Sequence, residues 1–150
     1  MRSYIVRMIC ENTAFRLDRL WNRMNAVIHE SFSKFLDSLH ADDVPGAISP
    51  ALLAGRLGVP VQKLASVARV HRNTLGMTPA SPKLQDAMVD VVRVLSAAYA
   101  LTGDMDRAIF WFRNHPIADF NHYTPMQLVE QGKVQAVVDY VESLSAGAAG

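Results

Sequence analysis

At 150 residues the chain has room for one domain, or one domain with an appendage. Half of its residues are hydrophobic and 19% are charged, a balance that excludes a wholly disordered chain and predicts a packed core. A net charge of +1 excludes the broad basic surplus of a dedicated nucleic-acid binder and leaves only a local patch for that role.

At the amino terminus, the apolar run Tyr4-Ile5-Val6 and Met8-Ile9-Cys10 is broken by Arg7 and followed by Glu11, without the small-residue cleavage site of a secretory leader. No stretch approaches the roughly 18 consecutive apolar residues of a membrane span. Cys10 is the single cysteine and cannot form an internal disulfide, which points to a reducing compartment. The chain is expected in the cytoplasm, away from membranes.

From Leu17 the apolar residues Leu17, Trp21, Met24, Ile28, Phe32, Phe35 and Leu39 fall on one stripe of a long amphipathic helix, and Arg16, Arg19, Arg23, Glu30 and Lys34 occupy its other faces. A seven-member stripe must be covered, by the body of the domain or by a second copy, so a homodimer is expected. Ala41 to Gly46 is an acidic, Pro/Gly-containing linker that ends this helix and marks a candidate boundary.

Beyond it one helix-start signal recurs. Ser49-Pro50, Ser81-Pro82 and Thr124-Pro125 each place a hydroxyl at the N-cap and a proline at the first helical position, where its missing N–H costs nothing. Gly58, Gly103 and Gly132 stand at or near matching stops. The punctuation predicts helices over about 50–57, 60–68, 71–77, 82–102, 105–114, 125–130 and 133–145, and no period-2 segment of useful length appears. The fold class is therefore all-α. The helix from Pro82 to Thr102, with Leu84, Ala87, Met88, Val91, Val92, Leu95, Ala98, Tyr99 and Leu101, is apolar enough to be the strut on which the others pack. Three regions follow: residues 1–46, an extension with the long helix and linker; 47–103, a helix-turn-helix-like region with the central helix; and 104–150, a carboxy-terminal module.

The chemistry of covalent catalysis is missing from the sequence. There is no glycine-rich phosphate loop and no Gly-x-Ser-x-Gly, and the five histidines share no metal-ligand spacing. His115 and His122 flank one loop and read as loop histidines before they read as metal ligands. No cofactor, no metal and no enzymatic activity are expected. A helix-turn-helix is the better candidate: Val61 to Ala68, a turn at Arg69-Val70-His71, then a second helix from Arg72. It would present Arg69, His71, Arg72, Asn73 and Thr74 to a major groove, arginine suited to guanine and asparagine to adenine. The alternative is a helical hairpin that completes the core. Gly76 and Pro79 interrupt the second helix, and no Lys or Arg lies between Gly76 and Lys83 to grip phosphates.

Several segments together resemble the Xre/MbcA/ParS antitoxins: Leu57-Gly58-Val59-Pro60-Val61-Gln62-Lys63-Leu64-Ala65, Arg72-Asn73-Thr74-Leu75, Asp106-Arg107-Ala108 leading to Trp111, Asn114-His115-Pro116, Tyr123-Thr124-Pro125 with Leu128, and Val134 to Val138. The resemblance covers about Ser49 to Gly147 and is most specific in the carboxy-terminal toxin-binding module. It implies a type II antitoxin, itself not catalytic, that neutralises a RES-domain toxin, an NAD-degrading or ADP-ribosylating protein, by covering the entrance to its NAD site. Such antitoxins often repress their own operon through the helix-turn-helix; a stand-alone DNA-binding transcriptional regulator is the alternative function. By position, Trp111, Asn114 and Pro116 would shape the module, with Trp111 as a plain core residue the alternative. Thr124, Pro125 and the last helix, through Gln135, Asp139, Glu142, Ser143 and Gly147, would meet the toxin. The chain departs from the family at Gly76, Met77 and Thr78, where an aromatic and arginines are common. A chain lacking Val134 to Gly150 is expected to fold and to lose protection.

Overall fold

The computed structural model describes residues 31–42 and 44–147. Cys10 and the Leu17, Trp21, Met24 and Ile28 part of the amino-terminal stripe lie outside them, so the length of the first helix and the homodimer expected from it are not addressed by the described residues. Residues 31–37 are helical (α1). Then come α2 (Pro50–Leu57), α3 (Gln62–Ala68), α4 (Thr74–Met77), α5 (Pro82–Thr102), α6 (Met105–Asn114), a 3₁₀ turn (Ala118–Phe120), α7 (Pro125–Glu130) and α8 (Val134–Gly147). Apart from these, the described residues hold two isolated antiparallel bridges, His40 with Ile48 and Ile117 with Tyr123. The fold is all-α, as the punctuation predicts.

The local causes are visible at most helix ends. The Ser49 hydroxyl accepts from the Leu52 N–H, and Gly58 closes α2 in the left-handed region. Thr124 and Gln127 form a reciprocal capping box around the start of α7. Ser81 differs: α5 starts at Pro82 as expected, but the Ser81 side chain makes no cap bond and its hydroxyl is buried without a partner among the described residues. Proline and the tertiary packing of α5 suffice to set that start.

Helix α5 is the strut. Leu84, Met88, Val91, Leu95 and Ala98 are buried along one stripe, flanked by Val94 and Tyr99, and α3, α6, α7 and α8 all pack on it. One cluster joins these to Leu53 and Leu57 of α2, Leu64 and Val67 of α3, Ala108 and Phe112 of α6, and Val137 and Val138 of α8. Phe35 and Leu39 belong to the same cluster. Phe32 stacks on Tyr99 with ring centroids 5.7 Å apart, and Arg56 lies over the Phe35 ring. The Ala41 to Gly46 stretch thus leads from buried Leu39 through buried Val44 to Ser49, whose N–H donates to the Leu39 carbonyl.

The clearest departure from expectation lies after α3. A helix over 71–77 is expected, but α4 holds only four residues. Its approach runs through tight i to i+3 bonds, Thr74 N–H to His71 O, Leu75 N–H to Arg72 O and Gly76 N–H to Asn73 O. The i to i+3 pattern keeps residues 71–73 in tight turns outside the α-helical ladder, which leaves α4 its four residues.

Candidate functional site: the carboxy-terminal helical surface

The module begins where Asp104 caps α6 by accepting from the Arg107 N–H. Met105, Ala108, Ile109 and Phe112 are buried, while Phe110 faces away from this stripe and is 69% exposed. Trp111 is half-buried against the core, and its indole stacks on the His115 ring at 6.4 Å. It therefore packs inward along one edge and reaches the surface at the other. The Asn114 amide donates to the Phe110 carbonyl, and Asn114 and Pro116 are exposed.

The loop that follows is held by one buried residue. Ile117, 1% exposed, donates from its N–H to the Tyr123 carbonyl and accepts at its own carbonyl from the Phe120 and His122 N–H groups. Asn121 and His122 take up positive φ to close it. Phe120 meets Tyr140 of α8 edge-on, which ties the loop to the last helix. Thr124 is half-buried and spends its side chain on the cap, and Pro125 is buried. Both position backbone, and neither offers much side chain to a partner.

At the far end of α7 the Gly132 and Lys133 N–H groups donate back to Val129 and Leu128, with Gly132 at φ 76°, which reverses the chain into α8. Val134, Val137, Val138 and Val141 turn inward. Opposite them Gln135, Asp139, Glu142 and Ser143 form an exposed stripe that runs to Gly147. Within it the Gln135 amide donates to Asp139 at 2.7 Å while its carbonyl oxygen accepts from Arg93 of α5. Ser143 donates to the Tyr140 carbonyl. Two carboxylates thus lie on the exposed face of a helix whose other face is buried in the core.

The second group of expected residues sits at the α3–α4 corner. Arg69 ends α3 in the left-handed conformation, and its guanidinium donates through Nε and Nη2 to the Glu130 carbonyl at 3.0 and 2.8 Å. His71 accepts at Nδ1 from the Asn73 N–H. Arg72 and Asn73 are exposed and Thr74 is half-buried. The structure brings Arg72, Asn73 and His71 together on a corner, while the Arg69 side chain is turned toward the carboxy-terminal module. Among the described residues no group of three or more His, Cys, Asp or Glu side chains is gathered as metal ligands.

The segment that contains Phe110, Trp111, the Ile117 loop, the α7 capping box and the α8 stripe is also the segment with recognisable relatives. Residues 97–147 match the family described as antitoxin Xre/MbcA/ParS C-terminal toxin-binding domain. Over these residues the chain is similar to the toxin-binding domain of Xre/MbcA/ParS-type antitoxins. No curated protein matches the chain. The matched toxin-binding domain begins within α5, so its first helix is the carboxy-terminal end of the strut, and it closes with α8. No helix among the described residues is long and apolar enough to cross a membrane. Phe110 is the residue in this domain that the sequence reading passes over. The signal was present: an aromatic one position off the buried Ala108, Ile109, Phe112 pattern, beside the exposed Arg107 and Asn114.

Proposed function

We propose that this antitoxin neutralises a RES-domain toxin by lying over the entrance to its NAD site, with the exposed face of α8 as the covering element. The observation that carries the reading is the stripe Gln135, Asp139, Glu142 and Ser143 on a helix whose opposite face is buried in the core of a matched toxin-binding domain. A cleft that takes a dinucleotide must attract phosphate, and a pair of exposed carboxylates is the charge complement of such a cleft. Phe110 supplies an apolar side chain on the neighbouring helix of the kind that anchors protein interfaces. Because Asp139 and Glu142 are exposed, the double reversal D139K/E142K leaves the core intact. In cells that express a RES-domain protein encoded beside this gene, wild type is expected to preserve growth and NAD levels, and D139K/E142K to lose that protection. Full protection by the variant, or none by the wild type, would overturn the reading.

Repression of its own operon is a second role, favoured by one observation: Arg72 and Asn73 are exposed together at the entry to α4. Salt-sensitive binding to the promoter fragment is expected, weakened by R72A/N73A. A gel shift that shows no binding by wild type at low salt would remove this role and leave the first untouched.

A further inference from the structure

Two cationic side chains from outside the matched domain, Lys63 and Arg69, converge on the end of α7, and a third, Lys83, holds the Arg69 backbone. Lys63 of α3 pairs with the Glu130 carboxylate at 2.6 Å. Arg69, next in line after α3, donates twice to the Glu130 carbonyl, and Lys83 at the start of α5 donates to the Arg69 carbonyl at 3.0 Å. Glu130 is the last residue of α7 and immediately precedes the turn into α8. The carbonyls at a helix end carry its negative pole, so cations placed there gain from the dipole as well as from the hydrogen bonds. Gly132 lies in the same corner: a Cβ at that position would come within 3.3 Å of the Arg69 guanidinium.

The backbone of Arg69 sharpens the point. Its φ is 53°, in the left-handed region where glycine is the usual helix-ending residue and a side chain costs about 1 kcal/mol or more. A glycine there would be easier on the backbone, and the chain instead holds an arginine whose side chain reaches 61 residues ahead in sequence.

We propose that Arg69 and Lys63 are positioning residues for toxin binding: they fix the Glu130 end of α7 and thereby the point and angle at which α8 departs with its contact stripe. This deepens the proposed function and rests on it. It also means that the toxin-binding surface depends on residues that the matched segment, 97–147, does not contain.

The full chain carrying R69G is the decisive variant, because it keeps a left-handed helix end while removing the side chain. R72A, an exposed arginine in the same corner, controls for lost charge. In the free protein, hydrogen exchange is expected to quicken at the amides of residues 131–135 in R69G and not in R72A, with α5 protection unchanged. Affinity for the toxin is expected to fall about fivefold in R69G and K63M and to stay at the wild-type level in R72A, a size in keeping with charge-assisted bonds that remain partly in water. Unchanged exchange at 131–135 in R69G would overturn the inference, as would an unchanged affinity or an equal loss in R72A. Should wild type bind no RES-domain toxin, the proposed function fails while the exchange comparison still decides whether the clamp exists.

Discussion

Gln85 holds two stretches of chain with one amide group. Its Oε1 accepts from the Ile48 N–H at 2.9 Å, while its Nε2 donates to the Ile48 carbonyl at 2.9 Å and to the Pro79 carbonyl at 2.8 Å. It thereby fixes both the approach to α2 and the approach to α5. Gln85→Leu keeps the volume and strands three backbone groups in a half-buried site, at a cost of about 2 kcal/mol. Thermal unfolding should show the midpoint lowered by roughly 5–10 °C, and an unchanged midpoint would mean that water replaces the amide. In sequence Gln85 is one polar residue among many on a helix, and no local pattern reveals that it reaches Ile48. Ser49 was more legible, since a hydroxyl ahead of proline states its role in the residue itself.

Helix α8 has two unlike faces, one buried in the core and one proposed to meet the toxin. Its four inward valines, Val134, Val137, Val138 and Val141, are at most 8% exposed, and burial of each is worth about 1.5–3 kcal/mol. Their sum is comparable to the roughly 5–15 kcal/mol that holds a domain of ordinary stability together. In place of the folded truncation expected from the sequence, a chain lacking Val134 to Gly150 is therefore predicted not to fold, because removal of α8 uncovers the part of α5 on which it packs. A chain ending at Lys133 should show no cooperative thermal transition by circular dichroism and should bind a dye for exposed apolar surface. A sharp transition would show that α5 can be covered another way. Surface substitution on α8, not deletion, is what separates recognition from folding. Helix α4 is the opposite case, an element shortened to four residues with Met77 80% exposed. Its entry turns and Gly76 leave too little helix to bury a face, so what it offers is a corner of polar side chains at its start.

Across the molecule, the helical class, the order of helices and most of their ends were written locally. Proline, hydroxyl and glycine act on the residues next to them, and apolar spacing at 3.6 per turn declares which face each helix will bury. The exposed stripe of α8 was legible for the same reason, as the complement of its valine row. What only the tertiary structure decided is where long side chains end. Arg69 reads as a base contact from its place after α3, yet its guanidinium crosses to Glu130, because a helix end carrying unsatisfied carbonyls lies within reach. Trp111 fell between core and surface, and the Ile117 loop met α8 through the Phe120 and Tyr140 rings. Local rules fix backbone and buried face because both depend on neighbours in sequence. The partners of Arg69, Lys63 and Gln85 depend on neighbours in space, and those exist only after the chain has folded.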